Sequence, residues 1–162
     1  MQDRAILDIN IDLMDFFHTK AVQVIDAITG DEQPLWGMMS VHHMLEHLVF
    51  PLEFAIFNEK VQLITPEEKL PRQREFLYSE YGMPVNFKPP FLPKDETVPL
   101  KTATLQEAKD HLKQTITQFL NSIHAPGFTT LLHPLFGQLN RREWLIFQYK
   151  HFMHHFLQFG LM

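Results

Sequence analysis

Cysteine is absent from this chain of 162 residues. Its absence excludes disulfide bridges, thiolate nucleophiles and cysteine-ligated zinc modules, and it is compatible with the reducing, cytoplasmic location that we expect. Any metal site in this chain must therefore use imidazole, carboxylate or water as ligands.

Long hydrophobic runs and an excess of basic charge are also missing. No stretch approaches the roughly 18 uninterrupted apolar residues of a membrane span, and the beginning of the chain lacks the apolar core of a signal peptide. The 14 lysines and arginines are scattered and are outnumbered by 19 aspartates and glutamates, which gives a net charge of -5. We therefore expect neither a membrane nor a nucleic acid as a partner.

Apolar residues recur at steps of three and four in four segments of what we expect to be a single domain over residues 1–162. The first segment runs from Ile6 to Ile28, ahead of a glycine. The second begins after Ser40, a good N-cap, and should run to about Phe57. Both segments have the period of one helical face, so each predicts an amphipathic helix.

The third and fourth segments each begin with the spacing of a capping box. Thr104 precedes Glu107 by three residues, and Asn140 precedes Glu143 in the same way. The fourth segment should end before Gly160. Four helices of this kind predict an all-α protein.

Residues 58–103 separate the second and third predicted helices and are rich in proline. The chain there contains Pro66, Pro71, Pro84, Pro89, Pro90, Pro93 and Pro99. Proline disrupts helix interiors, so we expect at most a short helix beginning at Pro66 and an extended, polyproline-like stretch from Phe87 to Pro93. A long crossover connects a four-helix bundle whose consecutive helices are parallel, which is the fold that we predict.

Histidines are concentrated in two short stretches of the second and fourth predicted helices. Six of the ten belong to these stretches: His42, His43, His47, His151, His154 and His155. His151 and His155 are four residues apart, so their rings should lie on one face of a helix, about 6 Å apart along its axis. Two imidazoles at that separation can converge on one ion.

A third imidazole from the facing helix would complete a set of three ligands, and His47 is our first choice. Three histidines leave a coordination position open, as in catalytic rather than structural zinc sites. Nickel, zinc, iron or manganese could occupy such a set. The alternative interpretation is that His151 and His155 are packed side chains that bind backbone carbonyls.

The second helix also contains the H-x-x-E-H pattern of inverzincin proteases, from His43 to His47. We reject a protease because the chain is short for that class and lacks its structural context. Glu46 should point about 100° away from His47 on the helix, so we expect a solvated residue or a partner of another side chain. We expect His42 at the surface, and we keep His43 as a reserve ligand. Pro51 removes the N–H that would bond the carbonyl of residue 47, so the helix should kink or end there.

Three stretches of the chain resemble the DinB/YfiT-like group of metalloenzymes. They are Trp36 to Ser40 leading into Met44 to Leu48, Tyr149 to His155, and His133 to Gly137 followed by Glu143 and Trp144. The last of these is similar to an uncharacterised branch of the group. The resemblance covers both ends of the chain and says little about residues 58–103.

The resemblance implies an up-down-down-up bundle in which His47, His151 and His155 hold nickel or zinc. Some relatives are similar to transferases or isomerases that use low-molecular-weight thiols such as bacillithiol or mycothiol. A metal-bound thiol would ionise near neutral pH, and a metal-bound water would do so by the same logic, so both S-transfer and hydrolysis are coherent functions. The alternative, from another class, is a non-catalytic helical module for binding or oligomerisation.

We also expect the protein to form a homodimer. Apolar side chains surround nearly the whole fourth helix: Trp144, Leu145, Ile146, Phe147, Tyr149, Phe152, Met153, Phe156, Leu157 and Phe159. One bundle core covers only one such stripe, so either a partner subunit or the crossover around Phe87 and Phe91 must cover the rest. Light scattering at micromolar concentration should give twice the chain mass of 19.1 kDa, whereas a monomer would assign the cover to the crossover.

Overall fold

The computed structural model describes residues 4–85, 87 and 98–162, and these are mostly helical. Helix α1 comprises Leu13–Asp15, a π-helical turn over Phe16–Lys20, and Ala21–Ala27. The other helices are α2 (Val41–Ile56), α3 (Leu70–Tyr78), α4 (Leu105–Ile123) and α5 (Arg141–Gln158). Strands β1 (Leu131–His133) and β2 (Gly137–Leu139) pair antiparallel between α4 and α5. Short 3₁₀ turns cover Asn58–Lys60 and Glu67–Lys69. No helix of the described residues is long and apolar enough to cross a membrane.

The second, third and fourth predicted helices begin where their capping residues predicted. The Ser40 hydroxyl accepts the N–H of His43 at 3.1 Å, at the start of α2. Complete capping boxes start α4, from Thr104 and Glu107, and α5, from Asn140 and Glu143. These side chains satisfy amide groups that the first helical turn leaves without a partner.

The first predicted helix is shorter than its apolar period suggested. It begins at Leu13 because the Asp12 carboxylate accepts the N–H of Asp15 at 2.9 Å and caps the helix there. The residues before it are extended, and the Leu7 N–H donates to the Glu80 carbonyl at 2.7 Å. Of the apolar side chains before Leu13, Leu7 and Ile9 are buried without being part of a helix, whereas Ile6 is 63% exposed.

The proline-rich connection contains a helix of nine residues, α3. The Glu67–Lys69 turn precedes it, as the sequence suggested, and Pro71 lies in its first turn, where the missing N–H costs no intrahelical bond. The predicted extended stretch from Phe87 to Pro93 lies outside the described residues except for Phe87, which is exposed.

Contacts between the helix ends give the relative directions of the long helices. Thr102, just before α4, bonds Glu46 in α2 at 2.8 Å, while Asn58, just after α2, bonds the Leu132 carbonyl beyond the end of α4 at 2.8 Å. These two helices therefore run in the same direction. Helix α5 runs opposite to α2, because its Gln148 reaches Pro51 and its Gln158 reaches Trp36. Helix α2 does not end at Pro51, which lies inside it.

Helix α5 is buried on nearly every side within the chain. Its aromatic side chains pack edge to face against α1, where Phe152 and Tyr149 meet Phe17 and Phe16, and Trp144 meets Phe119 of α4. The described chain therefore covers the apolar faces that suggested a partner subunit. The homodimer stays a prediction, tested by the light scattering described above.

Lys150 lies at the middle of this buried helix with none of its surface exposed. Its ammonium group donates to the carbonyls of Phe76, Ser79 and Tyr81 at 2.6, 2.8 and 2.8 Å and lies 4.2 Å from the centre of the Phe76 ring. Burial lowers the pKa of Lys150 to about 8, so the ammonium form predominates at neutral pH. This one cation holds the end of α3 and the following turn against α5.

Replacing Lys150 with methionine should lower the free energy of unfolding by roughly 2–4 kcal/mol, because three buried carbonyls lose their donor. Chemical denaturation at pH 7 measures the change. Lys113→Met is the matched control, since the Lys113 ion pair with Asp26 is partly exposed and should contribute no more than about 1 kcal/mol. Equal stability of the two variants would contradict the structural role of Lys150.

Candidate metal centre

Three imidazoles meet between α2 and α5. His47 lies about two turns after the N-cap of α2, and His151 and His155 lie on successive turns of α5. The His151 Nε2 atom is 3.1 Å from the Nε2 of His47 and 3.2 Å from that of His155. One ring nitrogen of each residue lies within 4.8 Å of the other two. The group could hold a metal ion.

Two of the three separations between these nitrogens are close to those of a metal site. Tetrahedral zinc sites have Zn–N bonds of about 2.0–2.1 Å, which places two ligand nitrogens roughly 3.4 Å apart. The two separations around His151, 3.1 and 3.2 Å, are close to that value. We call these three residues, His47, His151 and His155, the histidine triad. A fourth position stays available in such a set, since the triad supplies three nitrogens.

Burial keeps the triad neutral, which is the protonation state that a metal requires. His151 and His155 are 7% and 6% exposed, and burial together with the neighbouring histidines lowers the pKa of both rings well below the ordinary value. Burial, and secondly the nearby His154, lowers the pKa of His47 to about 4. At neutral pH each ring of the triad is therefore neutral, with one N–H and one nitrogen lone pair, and a metal binds such a lone pair.

Gln158 determines which nitrogen of His155 carries that N–H. The Gln158 amide nitrogen donates to the Trp36 carbonyl at 2.8 Å, so its oxygen faces His155. That oxygen can only accept, and it lies 2.7 Å from the His155 Nδ1, which must be the donor. The Nε2 lone pair of His155 therefore points at the other two rings. An outer hydrogen bond of this kind is what orients histidines that bind metals.

Gly37 allows the loop before α2 to approach Gln158. Its φ of +78° lies in the left-handed region, and a Cβ there would lie 3.0 Å from the Gln158 amide nitrogen. The short stretch Trp36–Gly37 therefore holds Gln158, and through it His155, at the C-terminal end of α5.

The other histidines of the two clusters lie outside the triad. The His43 Nδ1 is 2.6 Å from the Ser40 hydroxyl at the start of α2. His43, which the sequence left as a second possible ligand, therefore contacts the N-cap residue of the helix. His42, expected at the surface, is partly buried and bonds the Thr102 hydroxyl at 2.7 Å. His154 packs edge to face on Trp36.

Glu46, the glutamate of the H-x-x-E-H pattern, anchors the chain before α4. Its carboxylate accepts the N–H groups of Lys101 and Thr102 and the Thr102 hydroxyl, at 2.7–3.0 Å. Although partial burial opposes it, these hydrogen bonds lower the pKa of Glu46. A carboxylate with its oxygens committed in this way is a structural anchor and not a free base for the triad.

Two features of the site have only a weak signal in the sequence. One is the hydrogen-bond partner of the His155 Nδ1, which is Gln158, three residues later on α5. His133 is 1% exposed, and its ring lies 4.3 Å from that of Phe147, which stacks on His151 at 6.0 Å. The sequence does not reveal this position, because it results from the packing of β1 on α5.

A groove on the described surface lies away from the triad. Its volume is about 1110 Å³, and it lies between α3 and the two-stranded sheet, where Leu63, Leu70, Arg74 and Tyr78 line it. None of the triad lines this groove.

The metal-free protein should lose stability on acidification. The pKa of His133 is lowered to about 3 by burial, so the folded state stays neutral while the unfolded chain takes up a proton below about pH 6.5. The contribution of His133 to the free energy of unfolding is complete above that pH and falls as the pH drops toward 3. At pH 5 the free energy of unfolding is lower by roughly 2 kcal/mol on this account.

Denaturation of the metal-free protein at pH 7 and pH 5 checks this expectation. His133→Asn, whose amide oxygen can still accept the Leu135 N–H that Nδ1 accepts at 3.1 Å, should reduce the loss by roughly 2 kcal/mol. His111→Asn, on the exposed side of α4, should leave the loss unchanged. A His133→Asn variant with the full pH dependence would show that the titrating group lies elsewhere.

Comparisons with protein-family models, with curated proteins and with solved structures give no match to this chain.

Proposed function

We propose that this protein is a metal-dependent enzyme with an open three-histidine site. The observation that carries the proposal is the meeting of three neutral ring nitrogens from two helices, with separations of 3.1 and 3.2 Å. The Nε2 atoms of the triad face one another and not backbone carbonyls, which is the arrangement that an ion held by three imidazoles would need.

The proposal includes the DinB-like bundle that the sequence resembles. Its support is the direction of the long helices: α2 and α4 run together, and α5 runs opposite to α2. Helix α1 runs opposite to α4: the carbonyl of Asp26 near its end accepts from Lys109 in the first half of α4 at 3.0 Å, while Phe17 near its start packs on Phe119 near the end of α4. Up-down-down-up is the order that these directions describe.

The chemistry follows from the open position. His47, His151 and His155 would hold the ion, and a divalent cation there would lower the pKa of a thiol or water at its open position and so supply a nucleophile near neutral pH. His47 is the most exposed ligand of the triad, since His151 and His155 are buried, so a substrate approaches from the α2 side. Nickel and zinc suit a set of nitrogen ligands, and iron or manganese are further candidates.

We place S-transfer with a low-molecular-weight thiol ahead of hydrolysis, and the resemblance alone supports that order. The second candidate is a helical module without catalysis. It draws support from the position of the large groove, which could serve a partner while the triad serves the fold.

Protein purified without an affinity tag should contain close to one nickel, zinc or iron ion per chain by elemental analysis. Alanine at His47, His151 or His155 removes a ligand, so each should weaken metal binding by orders of magnitude in a chelator competition. His111→Ala and His124→Ala are the controls, because both residues are exposed. His111 lies within α4, and His124 is the residue at its C-terminal end.

Two outcomes would contradict the site. Protein that carries no metal and takes up none would remove it altogether. Loss of binding in His43→Ala with binding retained in His47→Ala would mean that the ligand on α2 is the other histidine.

The reaction class can be tested on the cobalt-substituted protein. Addition of bacillithiol should produce a thiolate-to-cobalt charge-transfer band if thiols bind at the open position. Ester hydrolysis that rises with an apparent pKa near 7, with no such band, would favour a hydrolase. Metal binding with neither property would favour the non-catalytic module.

A further inference from the structure

The groove between α3 and the two-stranded sheet takes no part in the chemistry proposed for the triad. Its volume of about 1110 Å³ exceeds the roughly 300–1,000 Å³ of most small-molecule pockets, and it is open to solvent. The partly exposed side chains of Leu63, Leu70 and Leu132 line it. An open, apolar groove of this size is better matched to a segment of polypeptide than to a compact small molecule.

Hydrogen bonds of β1 show which edge of the sheet faces the groove. The N–H and C=O of Leu132 both bond the side chain of Asn58, at 3.3 and 2.8 Å, so they point away from β2. Leu132 pairs with Gln138, and two opposite residues of an antiparallel pair either bond each other through both backbone groups or both turn outward. The N–H and C=O of Gln138 therefore point away from β1.

This outer edge of β2 faces α3. The Arg74 guanidinium donates to the Gln138 carbonyl at 2.5 Å, and both residues line the groove. Within residues 4–85, 87 and 98–162, no group accepts the Gln138 N–H. An unpaired N–H at a strand edge is a donor to which the carbonyl of an extended chain binds.

The charged side chains that line the groove are those of Glu67, Arg74 and Glu75. Arg74 forms an ion pair with the buried Glu143 carboxylate, which compensates its charge. Glu67 and Glu75 are exposed and form no ion pair with a described residue. Exposed glutamates are common on helices, but these two lie beside apolar side chains and a free backbone donor. The combination is complementary to an extended ligand that carries positive charge.

The separation of the two glutamates sets the spacing of that charge. Glu67 and Glu75 are eight residues apart along a 3₁₀ turn and a helix, which corresponds to about 12 Å. An extended chain rises about 3.3 Å per residue, so it covers this distance in roughly four residues. Leu70 lies between the glutamates in the sequence and lines the groove with them.

We propose that this groove binds an extended segment of another protein that carries two basic residues four positions apart with apolar residues between them. The basic side chains pair with Glu67 and Glu75, and the apolar side chains pack on the leucines that line the groove. A backbone carbonyl of the segment accepts the Gln138 N–H. The proposal is independent of the triad and applies whether or not the protein holds a metal ion.

The experiment is an NMR titration of the full-length, ¹⁵N-labelled protein with the peptide acetyl-Lys-Leu-Val-Leu-Lys-amide at low ionic strength. The backbone amide signals of Leu63, Leu70, Leu132 and Gln138 should shift on addition of the peptide. The Gln138 proton should move downfield, because it gains an acceptor. Amide signals of the triad should not change.

Two further peptides separate the contributions of charge and apolar contact. Acetyl-Lys-Ser-Ser-Ser-Lys-amide keeps the charge and controls for general attraction to a chain of net charge -5. Acetyl-Glu-Leu-Val-Leu-Glu-amide keeps the leucines and reverses the charge. Each should bind with a dissociation constant at least roughly tenfold higher than that of the lysine–leucine peptide. Equal binding of either control peptide would overturn the proposal.

Charge reversal on the protein tests the two glutamates. Glu67→Lys and Glu75→Lys should each weaken binding of the lysine–leucine peptide by roughly five- to tenfold, because each replaces an attraction with a repulsion. Glu68→Lys is the matched control, since Glu68 is exposed beside Glu67 and does not line the groove. All three positions are exposed, so the variants should fold. Equal losses in the three variants would overturn the proposal, because only the net charge of the chain would then matter.

The same spectra reveal a different occupant of the groove. Groove amide signals that shift when the peptide-free protein is diluted would assign the groove to a second copy of this chain and overturn the proposal. Groove signals that do not respond to the lysine–leucine peptide at millimolar concentration would overturn it as well. Neither result would affect the metal content of the triad, which is measured separately.

Discussion

The burial of α5 is the constraint on which the rest of the structure depends. A helix that is surrounded by protein must find a partner for every polar side chain it carries, because an unpaired polar group in the interior costs more than one left in water. Helix α5 carries Glu143, Gln148, Lys150, His151, His155 and Gln158, all of them buried. Each of these side chains must be met by another element, so the partners dictate where the other elements can lie.

The partners come from nearly every part of the described chain. The Glu143 carboxylate, besides capping α5, accepts from Arg74 and from the Tyr78 hydroxyl, which places α3 beside the start of α5. Lys150 binds the turn that follows α3, and Gln158 binds the loop before α2. The short helix and loops are therefore held by directed bonds to a few buried charges and amides, while apolar packing holds the long helices.

The triad belongs to the same set of buried polar groups and differs from it in one respect. Glu143 and Lys150 are satisfied by groups of opposite character, whereas the triad brings together three rings of the same kind. Like groups in a low-dielectric interior repel when charged, and burial accordingly lowers the pKa of all three. An arrangement that is unfavourable for added protons and favourable for a metal cation is typical of a metal centre.

Much of the helical framework and of the ligand set could be predicted from the sequence because both depend on local spacing. The start of α2 at Ser40, the capping boxes of α4 and α5, and the shared face of His151 and His155 follow from helix geometry alone. Locally periodic apolar residues did not predict the extended stretch before Leu13, where the Leu7 N–H bonds the Glu80 carbonyl. The short helix expected from Pro66 is present as the Glu67–Lys69 turn followed by α3. Tertiary packing decided the rest, because these contacts depend on which distant groups lie within hydrogen-bond reach. It brought His47 and not His43 to His151, placed Gln158 between His155 and the Trp36 carbonyl, and joined Glu46 to Thr102.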